Sequence, residues 1–228
     1  MASEDAWLRE QILDAALELA AQQSWEAVRL HQVAGRLGIG LDTLRREFAE
    51  KEDLVDAFFD RADAAMLESL QSPDFAALSP RQRLRWLILA WLDALAPFRR
   101  TVREMIVGKL EPGHLHVQIP GLLRVSRTVQ WIREAAGLQA TFLRRALEET
   151  ALTTIYLATF TRWLNDDSPD AVRTRSFLDR CLLLAEGVAE RLESRRGSFR
   201  SGRDATVGPV PDHEVPGEPG NDQESPGR

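Results

Sequence analysis

The sequence predicts an all-α protein: a head of three short helices, a larger helical body and a polar tail. Three observations predict it. Apolar residues recur at spacings of three and four through most of the chain, the period of a one-sided helix. Helix starts carry their own punctuation, "LSPRQRL" and "DDSPDAV" each placing Ser at an N-cap and Pro at the first helical position. The alternating pattern of a strand and the Asn-Gly of a tight hairpin are both missing.

The elements follow in order. Helix α1 is expected at 4–22, with Leu8, Ile12, Ala15, Ala16 and Leu19 on one face. Helices α2 (29–37) and α3 (41–48) are short, and α4 (51–70) carries Leu54, Ala57, Phe58, Ala62 and Ala65. Longer helices follow: α5 (80–95), α6 (97–109), α7 (120–136), α8 (140–164) and α9 (169–193), with Pro97 and Pro120 opening α6 and α7. The stretch "ETALTTIYLATFTRWL" in α8 is apolar nearly all round and must be covered on every side. A two-fold interface built from α8 and α9 would cover it. No internal repeat is visible. The domains expected are 1–50, 51–194 and a disordered polar tail at 195–228, too poor in large apolar side chains to offset its ordering entropy.

Composition narrows the class. Hydrophobic residues make up 44% and charged residues 28% of 228, the balance of a soluble globular protein. The single cysteine, Cys181, excludes a disulfide framework and a cysteine-rich zinc site, and sits in an apolar helical run as a small packing residue. The acidic start "MASEDAWLREQ" is no signal peptide, and Asp or Arg interrupts each apolar run before a membrane span is complete. A cytoplasmic protein without stable membrane insertion is expected. The net charge of −6 argues against nucleic acid only until it is located. Residues 204–228 hold six acids against Arg228 alone, so −5 lies in the tail and only −1 in the body.

The stretch "RLHQVAGRLGIGLDTLRREF" reads as helix, turn, helix. Leu30, Val33, Ala34 and Leu37 turn α2 inward, Gly38 ends it in the left-handed conformation, and Ile39 plugs the turn. Leu44 and Phe48 bury one seam of α3. Leu41, Asp42, Thr43, Arg45, Arg46 and Glu47 then face outward, the arrangement of a helix that enters the DNA major groove. Arginines suit guanine edges and phosphates, while Arg29 and Lys51 would flank the groove on the backbone. The expected DNA-binding set is therefore Arg29, Gly40, Leu41, Asp42, Thr43, Arg45, Arg46 and Lys51.

The segment from Ile12 to about Asp63 resembles the N-terminal domain of TetR-type regulators, through "ILDAALELA", "VA…LGI", "TL…F" and "KEDL". The resemblance implies a TetR-like fold: a DNA-binding head on a helical body that binds a ligand and dimerises through the counterparts of α8 and α9. This sequence departs from the family's usual pattern in having Gly40 for a capping Ser, Arg45 for a phosphate-contacting Tyr, and Glu47 for a basic or neutral residue. The body, about 84–185, resembles the coenzyme Q biosynthesis accessory lipid-binding family, itself TetR-like in fold, most specifically in "YLATFTRWLNDDSPDAVRTRSFLDR". That implies a non-catalytic protein holding an isoprenoid or quinone-like lipid.

Trp86, Trp91, Trp131, Phe142, Phe160 and Trp163 lie on apolar helix faces, where they either line a pocket for a flat hydrophobic ligand or pack the core. His114 and His116 lack a third ligand, which favours a structural role over a metal. The acids of "NDDSPD" sit at a helix N-terminus, where the dipole stabilises them. No phosphate loop, serine elbow or Cys–His pair is present, so neither an enzyme, a catalytic residue, a metal nor a cofactor is expected. Two functions remain. One is a homodimeric transcriptional regulator of TetR type that binds a double-stranded operator and responds to a hydrophobic small molecule. The other is a lipid-binding accessory protein of ubiquinone biosynthesis.

Overall fold

A computed structural model describes residues 2–109, 115–138 and 142–204. Among them every regular element is helical: α1 (Ala2–Gln22), α2 (Leu30–Leu37), α3 (Leu41–Glu47), α4 (Lys51–Glu68), α5 (Pro80–Leu95), α6 (Arg99–Lys109), α7 (Leu115–Ala135), α8 (Phe142–Leu164) and α9 (Val172–Asp204), with short 3-10 turns between several of them. Two compact units result, Met1–Glu186 and Gly187–Arg228. The expected head and the expected body as far as Glu186 share the first unit, and residues 187–194 fall in the second.

The head is packed in part as the spacing predicts. Ile12, Ala15 and Ala16 of α1 are buried as expected, but Leu13 and Leu17, outside the expected face, are buried with them, while Leu8 and Leu19 are half-buried. Val33 and Ala34 of α2 join this core, and Leu44 and Phe48 complete it from the α3 side. Gly38 adopts φ 66°, and the Ile39 amide donates to the Ala34 carbonyl at 3.1 Å, closing α2. Arg9 of α1 donates to the Glu47 carbonyl at 2.5 Å and lies 4.2 Å over the Phe48 ring, pinning the end of α3.

The body is organised around α4, which leads out of the head. Its Asp63 is buried and accepts from Trp91 Nε1 of α5 (2.8 Å) and Thr128 Oγ1 of α7 (2.9 Å). Arg124 of α7, also buried, reaches Asp60 at 2.8 Å and Asp63 at 3.4 Å. Burial pushes the Asp63 carboxyl above its ordinary value, although these hydrogen bonds and the Arg124 charge act against the rise. Around Trp91 the rings of Phe59 (5.9 Å, stacked), Tyr156 (5.2 Å) and Phe160 (5.4 Å) interlock, and Trp163 stacks on Phe160 at 6.0 Å.

Several sequence expectations change. Pro120 lies inside α7 rather than at its start, forfeiting one backbone hydrogen bond there. Pro97 sits in the 3-10 turn before α6. Cys181 is half-buried, not a fully packed core residue. Helix α9 continues to Asp204, so the tail expected to be disordered from 195 begins as helix, and 205–228 lie outside the described residues. His114 and the side chains of His116 and Phe142 also lie outside them.

The turn from α8 into α9 is fixed by one side chain. Asp166 is 4% exposed, and its carboxylate accepts from the Ser168 amide (3.0 Å) and hydroxyl (2.5 Å) and from the Thr174 amide (2.8 Å) and hydroxyl (2.6 Å). Asp166, not Ser168, is thus the main cap of α9. It also holds a turn in which Ala171 takes φ 50°, a left-handed conformation that costs an ordinary side chain roughly 1–2 kcal/mol. Burial alone would raise this carboxyl, but the four hydrogen bonds outweigh it and hold it well below the usual carboxylate range. A depressed folded-state pKa adds stability that is complete once an unfolded aspartate is ionised, and that is lost as the pH falls below about 4. Asp166→Ala is expected to lower stability by about 1–3 kcal/mol at neutral pH. It should also flatten acid unfolding below about pH 4. Urea titrations at pH 7 and pH 3 check this, and equal loss at both would remove the carboxylate from the account.

Candidate DNA-reading surface

Helix α3 begins without a side-chain cap. Gly40 is its N-cap with extended backbone (φ −73°, ψ 152°), and the Leu44 amide returns to the Gly40 carbonyl at 3.1 Å. Leu44 is 1% exposed and Phe48 fully buried, so the helix docks by one seam. Leu41, Asp42, Arg45 and Arg46 are exposed and Thr43 is half-buried. Arg46 Nη2 donates to Asp42 Oδ2 (3.4 Å) and Thr43 Oγ1 (3.1 Å), so three of the expected site residues are joined. Arg45 makes no hydrogen bond or ion pair among the described residues. Glu47 is half-buried and gives its carbonyl to Arg9.

The two flanking cations divide. Arg29 is exposed at the start of α2, its guanidinium donating to the Glu26 carbonyl at 2.5 Å. Lys51 turns away from the outer surface. Its ammonium donates to the carbonyls of Trp25 (2.5 Å), Val28 (2.9 Å) and Glu26 (3.3 Å) and lies 4.8 Å over the Trp25 ring. Burial first, and the Arg29 charge second, lower its pKa. Lys51 ties α4 to the α1–α2 loop, and it does not project as a free cation beside α3.

The expected pocket aromatics separate as well. Trp91, Phe160 and Trp163 pack together in the core. Trp86 stands apart with Nε1 on Ser69 Oγ (3.1 Å) and its ring against Phe75, and Trp131 is 49% exposed on α7. An open feature of the body lies on the other face of α8. A groove of about 870 Å³ runs along Thr154, Leu157, Ala158 and Thr161 and meets Arg173 and Phe177 of α9.

Comparison with known proteins fits this geometry. A family model described as bacterial regulatory proteins, tetR family, matches residues 12–58, the head and the start of α4. A second model, COQ9, matches residues 129–187, from late α7 into α9. Among solved structures, a TetR transcriptional regulator from Nitrosomonas europaea is 51% identical, with a TM-score of 0.71, covering 78% of this chain and 98% of its own. The chain belongs to the TetR family. It is a DNA-binding transcriptional regulator with a COQ9-like body. A TetR transcriptional regulator from Rhodococcus sp. RHA1, 24% identical over 81% of this chain and 97% of its own, shares the fold with a TM-score of 0.61. No curated protein matches the chain.

In this TetR-family regulator some ties between head and body are invisible to sequence periodicity. Glu104 of α6 accepts from the Trp25 amide at 2.7 Å, and Arg61 of α4 binds Asp14 of α1 at 2.7 Å and Glu10 at 2.5 Å. These ion pairs and the hydrogen bond from the Trp25 amide join the head to the body. A signal was present for the core cluster: Asp56, Asp60 and Asp63 recur along α4 at four and three, a polar stripe that needs a cationic neighbour.

Proposed function

We propose that the protein acts in the cytoplasm as a homodimer whose two α3 helices enter successive major grooves of a palindromic operator, as two-fold heads require. The head at 1–50 reads and the body at 51–194 dimerises and receives the ligand. The supporting observation is the split of α3, with Leu44 and Phe48 buried and Leu41, Asp42, Arg45 and Arg46 exposed on one outward face. Leu41, Thr43 and Arg46 face base edges, with Asp42 beside Arg46 and Gly40 giving room at the helix start, and Arg45 and Arg29 meet phosphates. Lys51 supports the head from inside.

The dimer forms through α8 and α9. The groove face of α8 offers Leu157, 37% exposed, among threonines, and α9 offers Leu184 (70% exposed), two turns from the groove residue Phe177 on the same face. Thr150, Thr153 and Thr154 donate their hydroxyls to the carbonyls of Ala146, Glu149 and Thr150 at 2.7–2.8 Å, which leaves an apolar face for a second helix. A hydrophobic small molecule or lipid, held beside Trp91, Phe160 and Trp163, would favour one spacing of the heads over another. The COQ9-like segment supports a lipid-like ligand. Trp86 and Trp131 fall outside this wall.

The test is binding to duplexes from random-sequence selection, followed over a salt series. Arg45→Ala with Arg46→Ala should weaken binding and lower the slope of log K against log salt by about one unit for each phosphate left without its arginine. An unchanged slope and affinity would remove these arginines from the interface. Wild-type protein that retains no duplex at low salt and carries a prenylated quinone would favour the accessory lipid-binding reading instead.

A further inference from the structure

The outward face of α3 carries an acid where phosphates must approach. Asp42 side-chain exposure is 81%, and its charge repels the DNA backbone. Its geometry gives it a purpose. Oδ2 of Asp42 holds Arg46 Nη2 at 3.4 Å, and Thr43 Oγ1 takes the same nitrogen at 3.1 Å. Oδ1 turns the other way, 2.3 Å from where a Cβ on residue 40 would stand. Only glycine at position 40 admits this pose, although its own backbone is extended and any residue could adopt it. The absence of a capping side chain on α3 is therefore what seats the Asp42 carboxylate against the helix start.

From this we infer that Asp42, given room by Gly40, is a positioning residue that presents Arg46 to a guanine, while Arg45 serves a phosphate. The inference rests on the operator-reading function proposed above. A guanidinium has five N–H groups in one plane. In the proposed pose Asp42 and Thr43 share one N–H of Nη2, which leaves the second, with its neighbour on Nη1, as the fork that fits guanine O6 and N7. Holding the plane in advance reduces the rotamer freedom given up on docking. Arg45 has no such holder among the described residues, and a mobile cation suits a phosphate, whose geometry is tolerant. Asp42 also acts against wrong sequences, because where Arg46 meets no guanine the acid still repels the backbone.

The test uses the full chain and a duplex obtained by random-sequence selection with wild-type protein. The consensus should hold a guanine in each half-site. Replacing it by 7-deazaguanine, which lacks N7, should weaken wild-type binding by about 10-fold, within the range of one bidentate contact. Arg46→Ala should abolish this sensitivity and Arg45→Ala should preserve it. Asp42→Ala should reduce discrimination at that position about 5- to 10-fold. The same variant should bind an unrelated duplex more tightly, since a phosphate-facing negative charge is gone; a purely structural role would not produce this opposite movement. Gly40→Ala should reproduce the loss of discrimination by displacing the carboxylate, with a melting curve close to wild type, and Asp42→Asn should keep part of it. Unchanged discrimination in Asp42→Ala, or deazaguanine sensitivity that follows Arg45, would overturn the assignment while operator reading stands. A wild-type protein that enriches no sequence overturns both.

Discussion

Trp91→Ala should be the most damaging single substitution in the body, lowering stability by about 3–5 kcal/mol, the range for removing a buried tryptophan. Trp91 is 2% exposed, packs ring to ring with Phe59, Tyr156 and Phe160, and donates to buried Asp63. Truncation leaves a large cavity and deprives a buried carboxylate of one donor, so both effects act in the same direction. For a chain of this size the expected fall in Tm is roughly 6–20 °C. Trp91→Phe keeps most of the volume and loses the N–H, and should cost about 1–2 kcal/mol. Trp131→Ala, at a half-exposed site, should stay within about 0.5 kcal/mol. Thermal and urea unfolding of the three variants check the ordering. If Trp91→Ala and Trp131→Ala were equally mild, the aromatic cluster would not be the core of the body.

That contrast shows what the sequence made legible. Helical periodicity located Trp91 and Trp131 equally well, because each lies on an apolar helix stretch. It could not say which tryptophan meets a second helix, since that depends on partners far away in sequence such as Asp63 and Tyr156. The head was easier to read. Its buried positions Leu44 and Phe48, the left-handed Gly38 and the outward Arg45 and Arg46 all follow from spacing within one short segment. Lys51 was harder for the opposite reason. A lysine at a helix start beside a DNA-reading helix reads as a phosphate contact, but three loop carbonyls 23 to 26 residues earlier take its ammonium. Gly40 reads from sequence as a missing cap, and only the placed Asp42 carboxylate shows what the missing Cβ makes room for.

Leu184→Glu should convert the protein to a monomer and weaken operator binding by about 100- to 10,000-fold, the advantage that linking two reading heads confers. The substitution should leave the protomer folded, since Leu184 is 70% exposed and exposed sites tolerate change within about 0.5 kcal/mol. Its effect falls on the proposed interface. Phe177 and Leu184 lie seven residues apart on one face of α9, two turns along from the groove that Leu157 lines on α8. Around a two-fold axis each substitution occurs twice, so two carboxylates would be carried into an interface that the wild-type leucines keep apolar. Leu157→Glu should act alike from the α8 side, whereas Trp131→Glu should not, because that residue is exposed on α7, away from the groove. Sedimentation velocity reads the oligomer, and anisotropy on a full operator and on a half-site reads the heads. Half-site affinity should be unchanged in Leu184→Glu, since α3 is untouched, and the weakening should appear only on the full palindrome. A Leu184→Glu protein that stays dimeric would move the interface away from this face. A monomer that binds the full operator as tightly as wild type would show that the two heads do not act together.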